Sequence, residues 1–179
     1  MALSKSEADL ALQAIAQTEV RSHQLAGYER ASPHVILWGV IWAVAYALEY
    51  WLPAQVNLIW GVLGPLGFVA SLLIARRTTG RSNWRVAAGV CTILLFVIAL
   101  FAVVGPATVE QIAAINGLVL ALVYAVGGLV VGSRFIAVAV MLAIAMLVGY
   151  FLLGSFFLLW MSFFGGGALV LAGFWLKKV

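Results

Sequence analysis

The sequence predicts an all-α polytopic membrane protein: six transmembrane helices as three antiparallel hairpins (2+2+2), preceded by an N-terminal cytoplasmic amphipathic helix. Three observations carry this expectation. Of the 179 residues, 65% are hydrophobic and only 9% charged, whereas a soluble domain is about half apolar and about a quarter charged; a soluble domain of this length has too little interior for so many apolar side chains. The apolar residues form continuous runs, not the alternating pattern of a lipid-facing barrel strand, which points to helix. The ten Lys and Arg residues fall where short breaks separate those runs, or at the chain ends.

The first thirty-two residues are different material, with four of the six acids and three of the ten basic residues. Ser4 with Glu7 reads as a capping box. Ala8, Ala11, Leu12, Ile15, Thr18, Ser22 and Leu25 then recur at helical spacing. Ser32-Pro33 is expected to end this helix and start the next, with Ser32 as N-cap and Pro33 at the first position. The stripe is narrow, and the other face carries Glu7, Asp9, Glu19 and Glu29. Such acids suit an anionic leaflet poorly, so docking on the protein's own arginine-bearing loops, or on a partner, is expected. The boundaries are therefore 1–32 for the cytoplasmic helix and linker, and 33–179 for the transmembrane domain.

A bilayer core takes roughly twenty apolar residues of helix. Segments 35–52, 56–75, 86–104, 112–131, 135–153 and 156–176 qualify. Pro53-Ala54-Gln55, Gly132-Ser133-Arg134 and Gly154-Ser155 are short breaks that predict tight antiparallel turns. Pro65 is expected to kink the second crossing. With six crossings and the N-terminus in the cytoplasm, Lys5, Arg21, Arg30, Arg76, Arg77, Arg81, Arg85, Arg134, Lys177 and Lys178 all lie on one side. The positive-inside rule makes that side cytoplasmic, with both termini there; a bacterial inner membrane is the expected location. The stretch ARRTTGRSNWR is then a cytoplasmic loop whose Arg76, Arg77, Arg81 and Arg85 set topology, with contact to anionic lipid headgroups as a further role. Trp51, Trp60 and Trp160 fall near the outer interface, and Trp38, Trp84 and Trp175 near the inner one.

At an offset of one hundred residues, Tyr50, Leu52, Leu58, Trp60 and Gly67 meet Tyr150, Leu152, Leu158, Trp160 and Gly167. This suggests a repeated helical hairpin. Gly128 with Gly132 forms a GxxxG, and Ala139–Ala143, Ala145–Gly149 and Ala168–Ala172 are small-xxx-small pairs that permit close helix approach. Gly61, Gly64 and Gly67, and Gly165, Gly166 and Gly167, extend the same chemistry. The pattern does not divide contacts within one chain from contacts between chains.

No HExxH, GxSxG or glycine-rich nucleotide loop is present, and His23 and His34 both fall at the cytoplasmic end. Cys91 is a lone cysteine in an apolar run, so no disulfide framework exists. No enzyme activity, no metal and no cofactor is expected. An ionisable group within the membrane is a functional candidate, and Glu49 comes nearest to that, about one turn from the outer end of the first crossing. With Tyr50, Asn57, Glu110, Gln111 and Asn116 at similar depth, it would line a shallow, outward-facing polar pocket for a cation or small polar solute. Interfacial polarity at helix ends is the plainer alternative, and Glu110 also suits the first turn of a helix. Ser71, Thr92 and Ser162 are expected to bond back to their own helices.

Three functions follow. The first, favoured by the absence of charge deep within the runs, is an accessory or regulatory protein acting through helix–helix or partner contacts; the second is a small oligomeric transporter or channel with its mouth near Glu49; the third and weakest is a membrane enzyme acting on lipid, for which no paired acid, base or nucleophile is present. Expected partners are the lipid bilayer and either further copies of the chain or another membrane protein, not nucleic acid.

Overall fold

The computed structural model describes residues 5–79, 84–105 and 108–178, and their side chains over 10–77, 88–105 and 108–178. Every element among the described residues is helical: α1 (Lys5–Trp51), α2 (Val56–Thr79), α3 (Trp84–Val104), α4 (Val109–Val131), α5 (Ser133–Leu152) and α6 (Gly154–Lys177). Five of these are long and apolar enough to cross a membrane, and Ala88–Val104 within α3 is a shorter apolar helix. In lipid a helix satisfies its own backbone donors and acceptors, which is why such runs adopt it.

The chain breaks where the sequence turns. Pro53–Gln55 is a single tight turn between α1 and α2. Only Gly132, at φ 151°, separates α4 from α5, and Gly154, at φ +49°, opens α6. Both lie in the region that an L side chain resists. Thr108 caps α4, its hydroxyl accepting from the Gln111 N–H at 3.2 Å.

The expected break at Ser32-Pro33 does not occur. α1 runs through Pro33 as one helix of 47 residues, about 70 Å at 1.5 Å per residue. Pro33 removes one backbone donor and crowds the preceding turn, but tertiary contacts hold the helix on both sides. The Ser32 hydroxyl does not cap; it is buried and donates to the Gly173 carbonyl of α6 at 2.8 Å. Tyr28 and Val35 are buried too. Nor does the first part of α1 dock on the protein's own loops: residues 10–23 are exposed on every face. Burial of α1 begins at residues 24–28, where Tyr28 meets the α4–α5 corner.

α1 is the spine. It packs antiparallel to α6 along most of the crossing and to α2 on another side, while α4 and α5 form the tightest consecutive pair. The core gathers Tyr28, Val35, Trp42 and Tyr46 of α1, Leu142 and Met146 of α5, and Phe157, Met161 and Leu169 of α6. The α1–α6 crossing is closest where Gly39 and Ala43 meet Gly166. There α6 is π-wound over Met161–Gly167, and Ser162 donates to the Ala43 carbonyl at 2.6 Å. Ser162 thus bonds across helices, and Ser71 accepts from the Trp38 indole at 3.1 Å; the expected return to their own helices holds for Thr92, which donates to Ala88 at 2.9 Å.

α3 stands apart. None of its described side chains is buried, and it packs closely on neither α2 nor α4. Among the described residues, α3 and α4 do not pair as α1–α2 and α5–α6 do. At the end where α1 enters, Arg134 lies between the rings of Tyr28 and Trp175, at 5.4 and 5.0 Å from their centroids, and donates to the Trp175 carbonyl at 3.0 Å. Arg76 and Arg77 close α2, and Lys177 closes α6. The antiparallel packing of α2 and α6 on α1 puts them at that same end.

Candidate functional site: an aromatic cleft inside the bundle

Because α3 stands off, a cleft of about 620 Å³ opens between it and helices α1, α2 and α4. Each wall is one helix face. From α1 come Trp38, Trp42, Tyr46 and Glu49; from α3, Val90, Ile93, Leu94 and Val97. Steps of three and four residues stack side chains on one side of a helix. From α4 the wall includes Ala113, Asn116, Leu120 and Tyr124, and from α2, Val56, Asn57 and Trp60. Trp38 to Glu49 spans eleven steps, about 16 Å of helix axis, so the cleft is a long slot. Its walls are mostly apolar, with Glu49, Asn57 and Asn116 as the polar groups beside the aromatic ones.

Glu49 is only 3% exposed. Its Oε2 accepts from the Trp60 indole N–H at 3.0 Å. Trp60 meets Tyr46 edge-on at 5.4 Å between centroids, and Tyr46 meets Trp42 edge-on at 5.5 Å. A carboxyl group removed from water is costly unless it is hydrogen-bonded or paired. The indole supplies one bond, and the ladder Trp42–Tyr46–Trp60 fixes the ring that supplies it.

Of the six residues the sequence nominates, Glu49, Asn57 and Asn116 come together at this cleft. Tyr50 turns away to stack on Phe156, at 6.3 Å between centroids. Glu110 lies in the first turn of α4 beside Val109, a cleft residue, but is not itself part of the wall. Gln111 faces a second cavity of about 430 Å³ between α4, α5 and the end of α3. Arg76 and Arg77 are exposed in the last turn of α2. Arg81 lies outside the described residues, and of Arg85 only the backbone, in the first turn of α3, is described. Sequence reasoning missed Trp38, Trp42, Tyr46 and Tyr124. An aromatic side chain at every fourth position from Trp38 to Tyr50 is visible in the sequence, and reading Trp38 as an interfacial anchor hid it.

No family model, curated protein or solved structure matches the chain.

Proposed function

We propose that this protein takes a small amphipathic molecule into the cleft between α1, α2, α3 and α4, as a small transporter or carrier. The observation that carries this reading is the cleft itself. Its 620 Å³ fall within the roughly 300–1,000 Å³ of small-molecule sites, which are likewise mostly apolar with a few placed polar groups. The molecule's polar end would meet Glu49, Asn57 and Asn116, and its body the rings and the apolar face of α3. The basic residues at the opposite end argue by the positive-inside rule that this end, with both termini, is cytoplasmic and that Glu49 lies toward the outer face. The chain would then sit in a bacterial inner membrane with six crossings, α3 among them.

Native mass spectrometry of protein extracted gently from its host membrane tests the reading, with Ala113→Phe as the blocking variant. Ala113 is a buried cleft residue. The wild type should retain a small molecule and the variant should lose it. A wild type that carries none, or identical occupancy in both, would overturn the reading.

A second reading, an accessory protein that engages a partner, rests on the first part of α1. Its exposed helix reaches beyond the bundle, and a helix of about 70 Å is over twice the thickness of the hydrocarbon core.

A further inference from the structure

We infer that the molecule held in the cleft is a lipophilic organic cation, an inference that rests on the binding role proposed above. The charge pattern comes first. Among the described residues that line the cleft, Glu49 is the only charged one, and none is a Lys or Arg that would neutralise it. The described arginines beside the bundle are committed to the other end, where Arg134 lies between Tyr28 and Trp175. A buried carboxylate with one indole donor is costly by itself. A cationic ligand supplies the missing counter-charge inside a low-dielectric space, where that attraction is strong.

The walls make the same selection. Trp38, Trp42, Tyr46, Trp60 and Tyr124 bring five aromatic side chains to one slot from three helices. Aromatic faces attract cations, tryptophan most of all, and the attraction grows when the pair is desolvated. An anion would meet the ring faces and Glu49 unfavourably. A small hydrated metal ion would leave most of the apolar surface unused. A cation with its charge buried within apolar bulk fits both the rings and the aliphatic face formed by Val90, Ile93, Leu94 and Val97. The weakly packed α3 offers such a molecule a side entrance from lipid.

Tetraphenylphosphonium and tetraphenylborate share shape and size and differ in the sign of charge. Titration calorimetry on the full chain in zwitterionic nanodiscs, with empty nanodiscs subtracted, separates the possibilities. The phosphonium should bind saturably at one site per chain, with the borate at least ten-fold weaker. Glu49→Gln should weaken phosphonium binding at least ten-fold. The wild-type comparison needs no variant and stands even if that variant fails to fold. Saturable binding of both ions alike, or of the borate alone, abolished by Ala113→Phe, would refute the cationic preference and leave the binding role intact. Saturable binding of neither would remove the binding role and the inference together.

Discussion

Gly166 and Gly167 are neighbours in sequence with opposite expected sensitivities. A Cβ at Gly166 would lie 2.7 Å from both the Ala43 Cα and the Gly39 carbonyl oxygen of α1 and closer still to the Ala43 nitrogen, whereas a Cβ at Gly167 meets nothing within 4 Å. Backbone cannot rotate away, and carbon contacts prefer about 3.5–4.0 Å, so Gly166→Ala must part α1 from α6 by about 1 Å. A gap of that size forfeits about a quarter to a half of each dispersion contact across it. It also stretches the 2.6 Å bond from Ser162 to the Ala43 carbonyl, of a kind that averages about 0.6 kcal/mol within membranes. Overpacking costs about 1–3 kcal/mol, and the better helix propensity of Ala returns up to about 1 kcal/mol. The net expectation is a loss of about 2 kcal/mol for Gly166→Ala and no loss for Gly167→Ala. Unfolding by SDS titration in mixed micelles, followed by tryptophan fluorescence, measures both. Equal stability of the two variants would refute the close α1–α6 crossing as the spine of the fold.

Arg134→Leu removes two ring contacts and the bond to the Trp175 carbonyl; a loss of about 1 kcal/mol is expected for this partly exposed group, read by the same titration, and an unchanged midpoint would mean that these contacts of Arg134 do not stabilise the bundle. Deleting residues 1–22 takes away helix that is exposed wherever its side chains are described. The midpoint should therefore stay put while any partner recovered by crosslinking in the host membrane is lost; a large fall in stability would mean that the segment docks on its own bundle after all.

The cleft shows where legibility ended. Glu49, Asn57 and Asn116 stand out in the sequence because a polar residue in an apolar run is rare and costly. That Glu49 bonds to Trp60 is a fact of how α2 folds back on α1. That Gln111 serves a different cavity from Asn116 follows from helix rotation, since five residues advance α4 by well over one turn. Ser32 illustrates the converse. Its local pattern, serine before proline, reads as a helix start, yet a carbonyl on α6, 141 residues away, claims the hydroxyl and the helix runs on.

The sequence by itself determined what depends on local composition: the membrane class, the apolar runs, the glycine and proline turns between them, and the gathering of basic residues at run ends. A segment's hydropathy is a property of about twenty consecutive residues, so it needs no partner to be read. Only the tertiary structure decided which faces meet. A Cβ added at Gly67, Gly128 or Gly166 would press on other residues of the chain, while one added at Gly61, Gly64 or Gly167 would meet nothing within 4 Å, although all six look alike in sequence. Lipid tails are as apolar as leucine, so burial against a neighbour and exposure to lipid leave the same hydropathic signature; shape and cross-helix hydrogen bonds make the choice instead. That choice set α3 apart from the bundle and opened the cleft beside Glu49.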